Sequence, residues 1–185
     1  MALGTAGMIE TEKKFRLTKR QRDAVLRRLP EIGATLQGEE FEENTLYMGG
    51  PLRSGFSVLR LRRVGGRATL TFKKRIPSDA AIKHQREDET VVADPEAMEA
   101  ILDALGFTPA LVYEKRRQTW VLGKTEIVVD VLPFGLFMEI EGRVNGIRAV
   151  ERKLGLKGLR AEHATYPQLA EKHGKVFEGL IEARF

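Results

Sequence analysis

Polar and apolar residues alternate with period two along most of this chain, and helical spacing interrupts the alternation at a few places. Glu10, Glu12 and Lys14 fall at every second position from Met8 to Arg16, which on a strand places all three on one face. Thr18-Lys-Arg-Gln21 then has the form of a capping box, and Val25, Leu26, Leu29 and Ile32 recur at helical spacing until Pro30 and Gly33 close the segment. Alternation returns over Thr35–Met48, with Phe41, Thr45 and Tyr47 in phase, and stops at Gly49-Gly-Pro51. Ser57–Val64 and Ala68–Lys74 flank Gly65-Gly66, a dipeptide suited to a two-residue hairpin turn. Pro77–Ile82 reads as a loop, His84–Val92 as a strand, and Asp94-Pro95 as the start of a helix that Gly106 stops. Phe107–Leu122, Glu126–Leu132 and Phe137–Gly142 are further strands, while Asn145–Leu154 and a segment after Tyr166 read as helical. The pattern predicts an α+β protein of about eight strands, in which a strand–helix–strands block occurs twice. Antiparallel hairpins dominate, so the economical architecture is a β-barrel or strongly curved sheet with helices packed outside.

Composition narrows the picture. A chain of 185 residues, 42% hydrophobic and 31% charged, suits one core, expected over residues 8–185 behind a flexible tail, Met1–Gly7. No apolar run approaches the roughly 18–20 residues that cross a bilayer, and Met1–Gly7 lacks the marks of a secretory signal, so the expectation is a cytoplasmic protein without a membrane partner. With no cysteine, disulfides, thiolate zinc sites and cysteine nucleophiles are excluded. His84, His163 and His173 lack metal-ligand spacing, which leaves oxygen donors. Gly123-Lys-Thr125 is a hairpin turn and not the end of a phosphate-binding loop, because a strand follows where a helix is required. The net charge of +5 favours an anionic partner. Lys19, Arg20, Arg22, Arg27 and Arg28 form a solvated helix face with no interleaved aromatics, which argues against nucleic acid.

The placement of charges within the strands says more than their sum. Lys14, Arg60, Arg62, Lys73, Lys115 and Arg117, with Glu10, Glu12, Glu87, Glu89, Asp130, Glu139 and Glu141, all fall in strands, several as pairs at spacing two. On any one strand this is how a solvent-facing sheet looks. Repeated around a sheet that helices cover, it has another meaning. The helices need an apolar outer face, which Ile9, Leu59, Leu61, Val129, Met138 and Ile140 supply, so the charged phase must line the inside. Six bases and seven acids in a bore are costly unless they pair, are hydrated, or meet a charged ligand and a metal. Convergent Lys and Arg suit a polyanion, and clustered carboxylates suit a hard divalent cation.

These residues also resemble a known family. Glu10-Thr-Glu-Lys-Lys14 matches the ExExK signature of the CYTH proteins, the triphosphate tunnel metalloenzymes that include class IV adenylate cyclases and thiamine triphosphatases. Leu59-Arg-Leu-Arg62, Leu70-Thr-Phe-Lys73, Arg86-Glu-Asp-Glu89, Lys115-Arg-Arg117, Asp130 and Glu139-Ile-Glu141 follow in the family's order. The resemblance implies an eight-stranded antiparallel tunnel. It implies that Glu10, Glu12, Glu139 and Glu141 hold Mg²⁺ or Mn²⁺, with Asp130 as a further ligand, and that Lys14, Arg60, Arg62, Lys73, Lys115 and Arg117 grip phosphate oxygens. Glu87 or Glu89 would orient or deprotonate a water, with Lys73 counted beside them as catalytic. The leading expectation is a metal-dependent triphosphatase acting on tripolyphosphate, thiamine triphosphate or a nucleoside triphosphate. A class IV adenylate cyclase is the alternative, and a non-catalytic polyphosphate- or RNA-binding module the third. A homodimer is left open, and no residue beyond Gly142 is assigned by the resemblance. If like charges are unpaired in the bore, removing Lys73 or Glu139 should leave stability unchanged or raised.

Overall fold

Strands and helices alternate in two matching blocks. In the computed structural model, which describes residues 8–50, 52, 57–76, 83–156 and 158–185, the first block is β1 (Met8–Leu17), α1 (Lys19–Glu31), β2 (Thr35–Gly49), β3 (Ser57–Val64) and β4 (Arg67–Ile76). The second repeats the order with β5 (Lys83–Val92), α2 (Pro95–Ala104), β6 (Phe107–Leu122), β7 (Thr125–Leu132) and β8 (Gly135–Glu141). Then come α3 (Val144–Leu154), α4 (Tyr166–His173), β9 (Lys175–Phe177) and β10 (Leu180–Ala183). The tail expected over Met1–Gly7 and the loop expected over Pro77–Ile82 lie outside the described residues.

Local chemistry explains the boundaries. The Thr18 side chain accepts from Gln21 N–H and the Gln21 side chain from Thr18 N–H, so the capping box at the head of α1 is complete. Pro30 was expected to close this helix, but it sits inside its last turn. Without an N–H, Pro30 cannot donate to the Leu26 carbonyl, but the helix runs only one residue further, and Ile32 N–H still reaches the Arg28 carbonyl at 3.0 Å. Gly65 and Gly66, at φ of +46° and +77°, turn β3 into β4 with Val64 opposite Arg67.

The eight strands of the two blocks pair antiparallel in the order β2-β3-β4-β5-β1-β8-β7-β6, and β2 also pairs with β6 from Thr35↔Val121 to Gly49↔Phe107. Each of the eight therefore has a neighbour on both sides. The blocks meet symmetrically, β1 on β5 and β2 on β6. The sheet has ten strands where about eight were expected, because β10 joins β6 in parallel at Leu111–Tyr113 and carries β9 outside it. Strands of three and four residues are too short to show alternation.

Helices cover the apolar face. Val25 and Leu29 of α1 and Ile147, Val150 and Leu154 of α3 pack on Phe15, Ile127, Val129, Met138 and Ile140. Under α2, Leu102 gathers Tyr47, Leu59, Leu61, Ala68 and Val92. At about 1.5–3 kcal/mol for each fully buried aliphatic side chain, this face supplies the driving force that forces the opposite, charged phase inward.

On the outside of the ring, Glu43 and Glu114 face each other directly across β2 and β6, and the Arg184 guanidinium contacts both. Like charges in that position repel, so Arg184→Ala is expected to lower stability by about 1 kcal/mol. The urea midpoint measures it, and an unchanged midpoint would show that the bridge contributes nothing.

Candidate functional site

The inward phase of the ring brings the charged residues together as cross-strand pairs. Lys14 lies opposite Glu139, Lys73 opposite Glu87, Arg117 opposite Asp130 and Lys115 opposite Glu42. The register thus dictates the ion pairs: Lys14 Nζ is 3.2 Å from Glu139 Oε1, Lys73 Nζ 2.6 Å from Glu87 Oε2, and Lys115 Nζ 3.2 Å from Glu42 Oε2. Arg117 grips Asp130 with two parallel bonds of 2.8 and 2.6 Å and reaches Glu139 at 2.8 Å. Diagonal contacts join the pairs, with Arg62 Nε 3.2 Å from Glu42 and Arg60 3.8 Å from Glu87. All six basic residues named from sequence therefore stand in one interior.

The acidic residues divide into three settings. Glu12 and Glu141 are directly opposite on β1 and β8, at the far end of β8 from Phe137, and the side chain of Glu10 lies outside the described residues. Glu87 is held between Lys73 and Arg60, whereas Glu89 accepts a 2.7 Å bond from the Thr71 hydroxyl and keeps 45% of its side chain exposed. Asp130, with no exposed surface, has its oxygens taken by Arg117 and by the Tyr166 hydroxyl at 2.7 Å.

Sequence reasoning missed Glu42, Asn44 and Thr71 and assigned no role to Tyr166; all four are buried here. Glu42 had a spacing-two partner in Asn44, but Glu39, Glu40, Glu42 and Glu43 put carboxylates on both faces of β2, so alternation could not assign the phase. Tyr166 enters from a helix that follows Asp130 by 36 residues and lies more than a hundred residues from Lys14, beyond the reach of any local pattern.

Burial and neighbours act on these groups in opposite directions. Glu42 is held down at about 2: burial resists its charge, and Lys115, Arg117 and Arg62 outweigh burial. Lys115 is pulled down to about 8 by burial and then by repulsion from Arg117, against the attraction of Asp130 and Glu42. The partners differ because Arg117 and Arg62 crowd Lys115 while they support Glu42, leaving a local excess of positive charge. Each displacement is worth about 3 kcal/mol, with opposite signs at neutral pH, so this buried pair comes near to break-even. The Glu42 contribution is present above 4.5 and lost as pH falls toward 2. Glu139 is held well below the ordinary carboxylate range: Lys14 and Arg117 overcome its desolvation.

The donors fit a phosphate chain and a hard cation. Arg60 is 7% exposed, and among the described residues its Nε is a buried donor without a hydrogen-bond partner, as a site awaiting an anionic acceptor would present. Carboxylate oxygens unaccompanied by histidine or cysteine suit Mg²⁺ or Mn²⁺. Among the described residues no three acidic or histidine groups are already gathered around an ion position. Among them, too, no helix is long and apolar enough to cross a membrane.

A family model described as CYTH domain matches residues 8–165. No curated protein matches the chain. Solved structures do: the PH1012 protein of Pyrococcus horikoshii OT3 is 28% identical with a TM-score of 0.74, over 85% of this chain and 96% of its own. A candidate adenylate cyclase of Vibrio parahaemolyticus is 23% identical, TM-score 0.69, over 89% and 99%. HpAC1 of Hippeastrum, described as a candidate adenylyl cyclase with a dominant triphosphatase activity, is 20% identical, TM-score 0.69, over 91% and 98%.

Proposed function

The chain belongs to the CYTH domain family, and from that premise we propose that it is a divalent-metal-dependent triphosphatase, with tripolyphosphate, thiamine triphosphate or a nucleoside triphosphate as substrate. The observation that carries the reading is the convergence of Lys14, Arg60, Arg62, Lys73, Lys115 and Arg117 in one desolvated interior. Phosphoryl transfer needs positioning and charge neutralisation more than covalent help, and such a cage supplies both.

In this reading the cations hold the phosphate oxygens in line. Water attacks the terminal phosphorus, the bond to the bridging oxygen breaks, and inorganic phosphate and diphosphate result. Glu89 is the better placed of the two candidate bases, because its partly exposed carboxylate is open to water while Glu87 is more buried and held 2.6 Å from Lys73; Arg60 stands within 4 Å of both. Lys73, which steadies Glu87, is placed to share the charge developing on the phosphoryl oxygens. Glu12, Glu139 and Glu141, with Glu10, would hold Mg²⁺ or Mn²⁺, which would neutralise phosphate charge when bound. Asp130 serves better as the anchor of Arg117 than as a metal ligand, since Arg117 and Tyr166 occupy its oxygens.

A cyclase would use the same cage with a ribose hydroxyl attacking the α-phosphorus, and would also need a surface for the base. The inward aromatics Tyr113, Phe137 and Tyr166 are buried against one another, which favours the hydrolase. That this fold can host such chemistry is illustrated by the Hippeastrum neighbour's described activity. The test is to incubate the protein with tripolyphosphate, thiamine triphosphate and ATP, each with Mg²⁺ or Mn²⁺, and to resolve phosphate from cyclic AMP. Phosphate release is expected. Cyclic AMP as the main product would overturn the reading in favour of a cyclase, and binding without turnover would favour the non-catalytic module.

Lys115 makes the affinity pH-dependent. Below about 8 it carries its proton and attracts phosphate; above about 8 it becomes neutral. Tripolyphosphate affinity measured by calorimetry is therefore expected to fall by about tenfold between pH 7 and 9.5, a loss that Lys115→Met should abolish. A flat wild-type profile would remove Lys115 from phosphate binding.

A further inference from the structure

We propose that Tyr166 is a positioning residue for the phosphate-binding cations, acting through Asp130 on Arg117 and through its ring on Lys14, an inference that rests on the triphosphatase reading. The resemblance assigns no residue beyond Gly142, and the family model's match ends at residue 165.

Tyr166 is the first residue of α4 and is 6% exposed. Its hydroxyl donates to Asp130 Oδ2 at 2.7 Å, the same oxygen that accepts from Arg117 Nη2 at 2.6 Å. A carboxylate held by both a tyrosine and a guanidinium cannot turn about its own axis, and its orientation fixes the plane of Arg117. The ring has a second use. Lys14 Nζ lies 3.9 Å from its centroid and Lys115 Nζ 5.4 Å, both within reach of the aromatic quadrupole. Phe137 meets the ring edge-on at 5.4 Å, and Tyr113 lies 6.3 Å away, so it cannot swing aside.

The approach of Tyr166 is itself anchored to the strand it serves. Lys14 Nζ donates to the Ala164 carbonyl at 3.2 Å, Glu162 N–H donates to the Lys14 carbonyl at 2.8 Å, and Phe15 bridges to Ala161. The Thr165–Gln168 capping box then starts α4. Burial and the carboxylates of Asp130 and Glu139 push the Tyr166 hydroxyl well above its ordinary value, so it remains a donor across the working pH range.

Tyr166→Phe keeps the ring and removes the hydroxyl. Titrated with tripolyphosphate in metal-free buffer, it is expected to bind about tenfold more weakly than wild type with a melting temperature within a few degrees. Tyr166→Leu, which also strips the ring from Lys14, should lose about a further threefold. The hydroxyl acts through Arg117, so Tyr166→Phe should cost less than about twofold where Arg117 is already Lys, a charge without the two-pronged grip. Asp130→Asn is the second background if Arg117→Lys does not fold. Wild-type affinity in Tyr166→Phe, or an undiminished loss in these backgrounds, would overturn the inference while leaving the triphosphatase reading intact. Wild type failing to bind tripolyphosphate would overturn that reading and this inference with it.

Discussion

Arg117→Ala is expected to reduce kcat/KM for tripolyphosphate by at least about 10²–10³-fold, the usual scale for losing a donor aimed at developing charge. It is also expected to have a large effect on stability, because the guanidinium touches three buried carboxylates, Asp130, Glu139 and Glu42. Asp130 loses both of its short bonds to the guanidinium, Glu139 loses one of 2.8 Å, and Glu42 loses a contact of 3.7 Å. Leaving buried charge without its partner costs about 3–5 kcal/mol, which lowers the melting temperature by roughly 10 °C in a chain of this size. Arg117→Lys should recover part of the stability and little of the activity, since an ammonium restores charge but not the planar fork. Parallel melting and phosphate-release assays check both statements. Wild-type turnover in Arg117→Ala would remove the residue from the site.

Glu139→Ala and Lys73→Ala are expected to part company, although both should lose activity by about 10²-fold or more. The Glu139 side chain is 7% exposed and stands between Lys14 and Arg117, so its removal takes the salt bridge from buried Lys14 and one of three carboxylate contacts from Arg117, and should cost about 3–5 kcal/mol. Lys73 keeps 22% of its side chain in solvent, and Glu87 retains Arg60 at 3.8 Å when it is gone, so the change should stay within about 1 kcal/mol. The expectation that removing either would leave stability unchanged or raised assumed unpaired like charges. Paired register replaces that assumption for Glu139. The pH dependence has a definite sign. The carboxylate's depressed pKa means that its contribution is present above the ordinary value of 4.5 and is lost on acidification. The stability gap between wild type and Glu139→Gln should therefore shrink as pH falls below that value, and a gap that widened would contradict the pairing. Denaturant titrations at a series of pH values measure it.

Much of this arrangement was legible before any coordinates. Glu139 and Glu141, Arg60 and Arg62, and Lys115 and Arg117 sit two residues apart in β-rich runs, and the apolar residues between them could only face the helices. Strand alternation is a local property: each side chain's face follows from its neighbours two positions away. The outward burial of Leu61, Met138 and Ile140 follows from the same rule.

The sequence by itself determined the eight long strands, which face of them is charged everywhere but on β2, and hence that acids and bases share one interior. Only the tertiary structure decided which acid meets which base, because register joins residues from opposite halves of the chain: Glu42 to Lys115 across β2 and β6, and Tyr166 to Asp130 from a helix outside the ring. The difference is one of range. Face is set by geometry over two residues, whereas pairing is set by the closest packing of the whole chain, in which each buried charge must find a partner wherever the fold brings one.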